Sequence, residues 1–179
     1  VEEIKKELLA IPEKIEAVLE NQEGVKKYAA ENYEQRDIYF LGRGVDYAVA
    51  LEGSLKLKEI SYIHCDAYAG GELKHGPIAL IDKGTAVITL LTQEALKDKM
   101  ISNVREVSTR GGNIFAIANQ GDEIAKTVAE EVVYIPKTVD LLTPLVSVVP
   151  LQLLSYYVAK NKGCDVDKPR SLAKSFTVE

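Results

Sequence analysis

Residues 37–62 read DIYFLGRGVDYAVALEGSLKLKEISY, and the order of their patterns decides the fold. Asp37 to Leu41 is a short, nearly continuous apolar run, the signature of a strand covered on both faces. It runs into Gly42-Arg43-Gly44, and the chain from about 45 to 62 then reads as a long helix. Strand, tight glycine turn and helix together are the opening of a βαβ unit.

The same alternation continues outward. Thr85–Thr92 (TAVITLLT), Asn113–Ala118 (NIFAIA) and Glu131–Pro136 are predicted strands. Helices are predicted over 94–109, near 121–129 and over 141–162. Toward the start, Ile4, Leu8, Ile11, Ile15, Val18 and Leu19 form one stripe of a helix over 2–20, and a shorter helix follows at 23–34. Ala67–Pro77 is Gly-rich and reads as irregular, and 163–179 shows no periodicity. The expected fold is α/β, a three-layer αβα sandwich around a mainly parallel sheet. The expected organisation is a helical connector at 1–36, a domain at 37–162 and a tail at 163–179. In such open sheets ligands sit beyond the carboxyl ends of the strands, an edge made here by Gly42–Gly44, Gly70–Pro77 and Thr92–Gln93.

Bulk properties exclude several functions. The 179 residues carry a net charge of -5, with a pI near 5.2. A nucleic-acid binder needs a basic face to displace counterions, so nucleic acid is not an expected partner. Cys65 and Cys164 are too few for a disulfide framework and lie in no CxxC pair, so a reducing, cytoplasmic setting is the default. The opening VEEIKKELLA is a charged amphipathic pattern rather than a secretory leader, and Val1 suggests a piece of a longer chain. Leu141–Ala159 runs without a charge, but Thr143, Pro144, Ser147, Pro150, Gln152 and Ser155 interrupt it. A helix buried in a core or interface is expected there, not a membrane span.

Four segments carry chemistry. Gly42-Arg43-Gly44 opens a GxGxxG pattern that fails at Tyr47, where close helix–strand packing would need a glycine. What remains is a tight turn, or a ligand-facing turn at a helix start. Glu52, Lys56 and Glu59 are spaced by four and three and share one helix face. They form either a solvated ion-pair face or a carboxylate base beside an ammonium that stabilises developing negative charge. His75, in AGGELKHGP, is either idle or an exposed imidazole suited to proton transfer near neutral pH. His64, at the end of the helix, is expected to be structural, with no metal-ligand spacing around it. In the tail, Arg170 and Lys174 either fray or fold back over a pocket, where a lysine amine can form a Schiff base with a ketone. A phosphate cradle of the form S-x-S-G-x-[ST] is absent: the nearest candidate, Leu91-Thr-Gln-Glu-Ala95, has one hydroxyl and an acidic Glu94.

LEGSLKLKEISYIHCDAYAGGELKHGPIALI (51–81), TPLVSVVPLQLLSYYVA (143–159) and DVDKPRSLAKSFTVE (165–179) together resemble the isomerase half of the glucosamine-6-phosphate synthase family, the glutamine–fructose-6-phosphate aminotransferases. The resemblance covers about 38 to the end and points to the second of that family's two sugar-isomerase (SIS) modules. It implies the SIS fold, a missing glutaminase domain, and a missing first SIS module that holds the phosphate. Asp66, Ser171 and Phe176 depart from the family's usual Glu, Asn and Val. By motif, Glu59 would move a proton between C1 and C2, and Lys56 would support the charge on the enolamine. His75 would open and close the ring in a neighbouring subunit's site, which implies a homodimer. Lys174 would form the imine with fructose 6-phosphate on the way to glucosamine 6-phosphate. Arg170 would close the tail, and Ala173 and Gly42 would face the sugar. No metal or organic cofactor is implied, and the fragment alone would be inactive. Two alternatives stay open: an SIS-family deglycase or deaminase of amino-sugar phosphates, and a non-catalytic module that senses sugar phosphates.

Overall fold

The structure, a computed structural model, describes residues 2–170. Eleven regular elements follow one another: α1 (Glu2–Leu9), α2 (Ile11–Glu20), α3 (Glu23–Asn32), β1 (Asp37–Gly42), α4 (Val45–Ser61), β2 (His64–Ala69), β3 (Ala86–Leu91), α5 (Lys97–Ser108), β4 (Asn113–Asn119), β5 (Glu131–Ile135) and α6 (Thr143–Asn161), with short 3₁₀ turns between some of them. The strands make one sheet in the order β2-β1-β3-β4-β5. Every neighbouring pair is parallel.

This order fixes the layers. From β1 the chain crosses through α4 to β2 on one side, whereas β3 crosses through α5 to β4 in the opposite direction. Parallel crossovers are right-handed, so reversing the direction puts the two helices on opposite faces. One face packs Ile38, Phe40, Ile88, Leu90, Phe115 and Ile117 against α2, α3, α4 and α6. The other packs Tyr39, Leu41, Val87, Ile114 and Ala116 against α5 and the buried Leu73 of the Gly70–His75 turn. Tyr28 of α3 stacks tilted on Phe115 at 4.8 Å and donates its hydroxyl to the Asn113 carbonyl.

Three sequence expectations are corrected. β2 was not foreseen: His64 starts it rather than ending a helix, because Tyr62 adopts a left-handed conformation (φ 61°) that stops α4. The helix over 2–20 is two helices, because Pro12 has no N–H for the bond back to the previous turn. Ile4, Leu8 and Leu19 consequently stay exposed, while Ile11 and Val18 are buried. The helix near 121–129 is only a 3₁₀ turn, Ala125–Thr127, started by Asp122, whose carboxylate accepts the N–H groups of Ile124 and Ala125. The uncharged stretch is buried as expected: α6 packs along α4 and tolerates Pro150 in its interior. Among the described residues no helix is long and apolar enough to cross a membrane.

Candidate functional site

The carboxyl edge of the sheet is where open parallel sheets hold ligands. Gly42 is there for packing: a Cβ on it would lie 2.4 Å from the Asp46 carbonyl oxygen, in the first turn of α4. Gly44 takes a positive φ of 58° to turn the chain into that helix. Asp46 is buried and bridges to the end of β3, accepting the Thr92 N–H at 2.9 Å and the Thr92 hydroxyl. Burial raises its carboxyl above the usual range, against the hydrogen bonds that lower it. The crevice between β1 and β3 is therefore filled by its own side chains. Lys97 adds to this, bonded to Glu94 at 2.6 Å and facing Asp122 at 3.3 Å. The single hydroxyl that could have cradled phosphate is already spent on a carboxylate.

The helical triad is assembled as its spacing predicts. Lys56 Nζ lies 2.8 Å from Glu59 Oε2 and 3.7 Å from Glu52 Oε1. The hydrogen bond that Lys56 donates to Glu59 holds its ammonium above the ordinary range, opposed by partial burial. Leu51 and Leu55, next in sequence to Glu52 and Lys56, are exposed on the same helix, so the triad has apolar neighbours open to solvent in this chain. At about 1.5 Å per residue, Glu59 is about 21 Å along α4 from Val45. Gly42 and Glu59 thus sit at opposite ends of one helix, and the sequence placed them in one site.

Arg170 does reach the Glu59 end. Its N–H donates to the Tyr62 hydroxyl at 2.9 Å, and its guanidinium lies 4.1 Å over the Tyr62 ring. Just before it, Cys164 Sγ is 3.9 Å from the Ser61 carbonyl, and Asp165 accepts the N–H groups of Asp167 and Lys168. Tyr62 is a site residue that sequence reasoning missed, although an aromatic directly behind LKLKEIS was a usable signal. Ala173 and Lys174 lie outside the described residues.

His75 is not brought to Glu59. It ends the Gly70–His75 turn on the α5 face of the sheet, while Glu59 is on the α4 face. Among the described residues its one carboxylate within 4 Å is Glu72, at 3.9 Å. Its side chain is 74% exposed, so it is presented outward. Gly76 follows with φ 144°, a conformation reserved for glycine, and ends the turn there. His64 pairs with Asp37 at 2.7 Å across β1 and β2, a structural contact. Among the described residues no group of three His, Cys, Asp or Glu stands together as a metal site.

Residues 33–161 match the model of the SIS domain. The glutamine–fructose-6-phosphate aminotransferase (isomerizing) of Clostridium tetani is 62% identical over 179 residues, 100% of this chain but 29% of its own length. The chain therefore spans about three-tenths of the curated relatives it matches. Among solved structures, the C-terminal domain of glucosamine-fructose-6-phosphate aminotransferase from Francisella tularensis superposes with a TM-score of 0.84 at 39% identity, covering 91% of this chain and 46% of that one. A glucosamine-6-phosphate deaminase from Thermotoga maritima superposes at 0.71 with 25% identity, covering 98% of this chain and 49% of that one.

Proposed function

The chain belongs to the SIS-domain family, and from that premise we propose that it is the second sugar-isomerase module of a glucosamine-6-phosphate synthase. The observation that carries the proposal is the Glu59–Lys56 pair at 2.8 Å, a carboxylate oriented by an ammonium on an exposed helix face. The reaction needs that arrangement. Lys174 Nζ adds to the C2 ketone of fructose 6-phosphate and water leaves, giving an imine. Ammonia from glutamine, made in another part of the parent chain, displaces the lysine and leaves a fructosimine. Glu59 takes a proton from C1, the electron pair forms the C1–C2 double bond as the imine pair moves onto nitrogen, which takes a proton to give the enolamine, and a proton then returns at C2 as the C1 hydroxyl loses its own, giving glucosamine 6-phosphate. Lys56 stabilises the charge that develops. His75 moves the proton that opens and closes the ring.

The division of labour follows from the faces. Tyr62 draws Arg170 to the Glu59 end of α4, and Lys174 follows Arg170 by four residues in sequence. His75 points away on the other face, which supports its use by a neighbouring copy in a homodimer. The spent Thr92 hydroxyl supports a phosphate cradle supplied by a preceding SIS module. The similarity to a deaminase is at 25% identity, against 62% to the aminotransferase, so the synthase reading is preferred. Free Cys65 and Cys164 suit a reducing compartment, the cytoplasm.

The test separates base from imine. In the parent polypeptide, Glu59→Gln is expected to cut glucosamine 6-phosphate formation about a thousandfold, while borohydride still traps fructose 6-phosphate on Lys174. Near-normal turnover of Glu59→Gln would remove Glu59 as the base.

A further inference from the structure

Arg43 leaves the end of β1 at the point where the crossovers reverse. Among the described residues it has no carboxylate within 4 Å. Its Nε donates instead to Oδ1 of the buried Asn103 in α5, at 3.2 Å. On the way its guanidinium end passes close to the loop that leads to His75: a Cβ on Gly71 would sit 2.3 Å from Arg43 Nη2. A Cβ on Gly70 would meet the Asn103 Oδ1 at 3.0 Å and Met100 Sδ at 2.7 Å. The glycine pair is what lets the arginine and α5 close on the start of the loop. The far end is held by Lys74 and Glu106, at 2.7 Å. Leu73, between them, is buried. Of this segment, His75 projects at the end that leads to Gly76, with the exposed Glu72 beside it at 3.9 Å.

We propose that Arg43 is a positioning residue for His75, acting as a bar that clamps Gly70-Gly71 onto Asn103 and so fixes the direction in which the imidazole leaves the surface. The inference rests on the proton-transfer role proposed for His75. Proton transfer demands heavy atoms within hydrogen-bond reach, and a displacement of about 1 Å can cost up to about a hundredfold in rate. A guanidinium suits the clamp because one of its terminal nitrogens can lie against the bare backbone while its Nε bonds Asn103, two contacts that the single nitrogen of an ammonium cannot make in the same way.

The experiment is a double-mutant cycle in the parent polypeptide with fructose 6-phosphate and glutamine. Arg43→Ala is expected to lower kcat about tenfold, with KM for fructose 6-phosphate within about twofold. In a His75→Ala background the same substitution is expected to cost nothing further. An equal loss in both backgrounds, or no loss in either, overturns the positioning role alone. A rise in KM at unchanged kcat also overturns it, and makes Arg43 an anion ligand. Unchanged kcat in His75→Ala overturns the histidine's own role and the clamp with it. If Arg43→Ala does not fold, Arg43→Lys (same charge and a similar stem, no flat fork) enters the same cycle and is read the same way.

Discussion

The α4 face and the 70–76 loop hold their chemical groups by opposite means. On α4, Lys56 and Glu59 are one turn apart on a rod whose other side is buried against β1, β2 and α6, so helix geometry alone sets their 2.8 Å contact. In the loop no repeating geometry exists. His75 is aimed by separate contacts from β1, α5 and the sheet, and it ends on the other face. On the function proposed above, the difference means that one chain carries two half-sites. Under the proposed function, the helix would hold the base and the loop would offer the proton carrier outward.

Substitutions in the two regions should therefore fail differently. After the roughly thousandfold loss expected for Glu59→Gln, the next largest effect is expected from Lys56→Met: about a hundredfold loss in kcat, because a charge-stabilising partner is removed, with stability changed by less than about 0.5 kcal/mol, as for other exposed pairs. Steady-state rates and a denaturant melt on the parent enzyme check both halves. A large loss of stability would mean that the pair holds the helix, not the chemistry. On the loop, Gly76→Ala forces a side chain into φ 144° and should cost about 1–3 kcal/mol locally. We expect kcat to fall about tenfold through misdirection of His75; an unchanged rate would show that the histidine is not aimed by its turn. Arg170→Ala removes the stacking on Tyr62, and at about 0.5–1 kcal/mol for an exposed cation–π contact the loss should be about threefold, seen in KM.

The smallest effect concerns pH. Lys56 is raised by its bond to Glu59, so the pair's contribution is complete below the ordinary lysine value of 10.5 and is lost only as pH climbs through the higher folded value. The rate should show no alkaline decline from this pair below pH about 10, and Lys56→Arg should leave that part of the profile unchanged. A Lys56-dependent fall near pH 8 would contradict the ion pair.

Much of the fold was legible, and the reason is physical. β1, β3 and β4 are covered on both sides, so their sequences are near-continuous apolar runs, and β5, at the other edge, keeps an apolar run in VVYI although only Val133 and Ile135 are buried. β2 is an edge strand with a half-exposed pattern. HCDAYA alternates too weakly, between a helix and a double glycine, to announce itself. Missing that strand hid the strand order, and with it the fact that Glu59 and His75 occupy opposite faces. The Glu52–Lys56–Glu59 triad was readable because helical spacing is local. The stacking of Arg170 on Tyr62 was not, because the aromatic behind LKLKEIS does not say which residue, 108 positions on, lies over it.

The measurement that bears most directly on two half-sites is subunit complementation. Parent chains carrying Glu59→Gln and parent chains carrying His75→Ala, each nearly inactive, are dissociated, mixed in equal amounts and reassembled. If Glu59 of one copy works with His75 of another, half of the sites in each hybrid dimer are intact, and about a quarter of wild-type activity returns with random pairing. If both residues serve the site of their own chain, every site in the mixture lacks one group. The activity then stays at the level of the parent variants, and the account of opposite faces serving different sites is wrong.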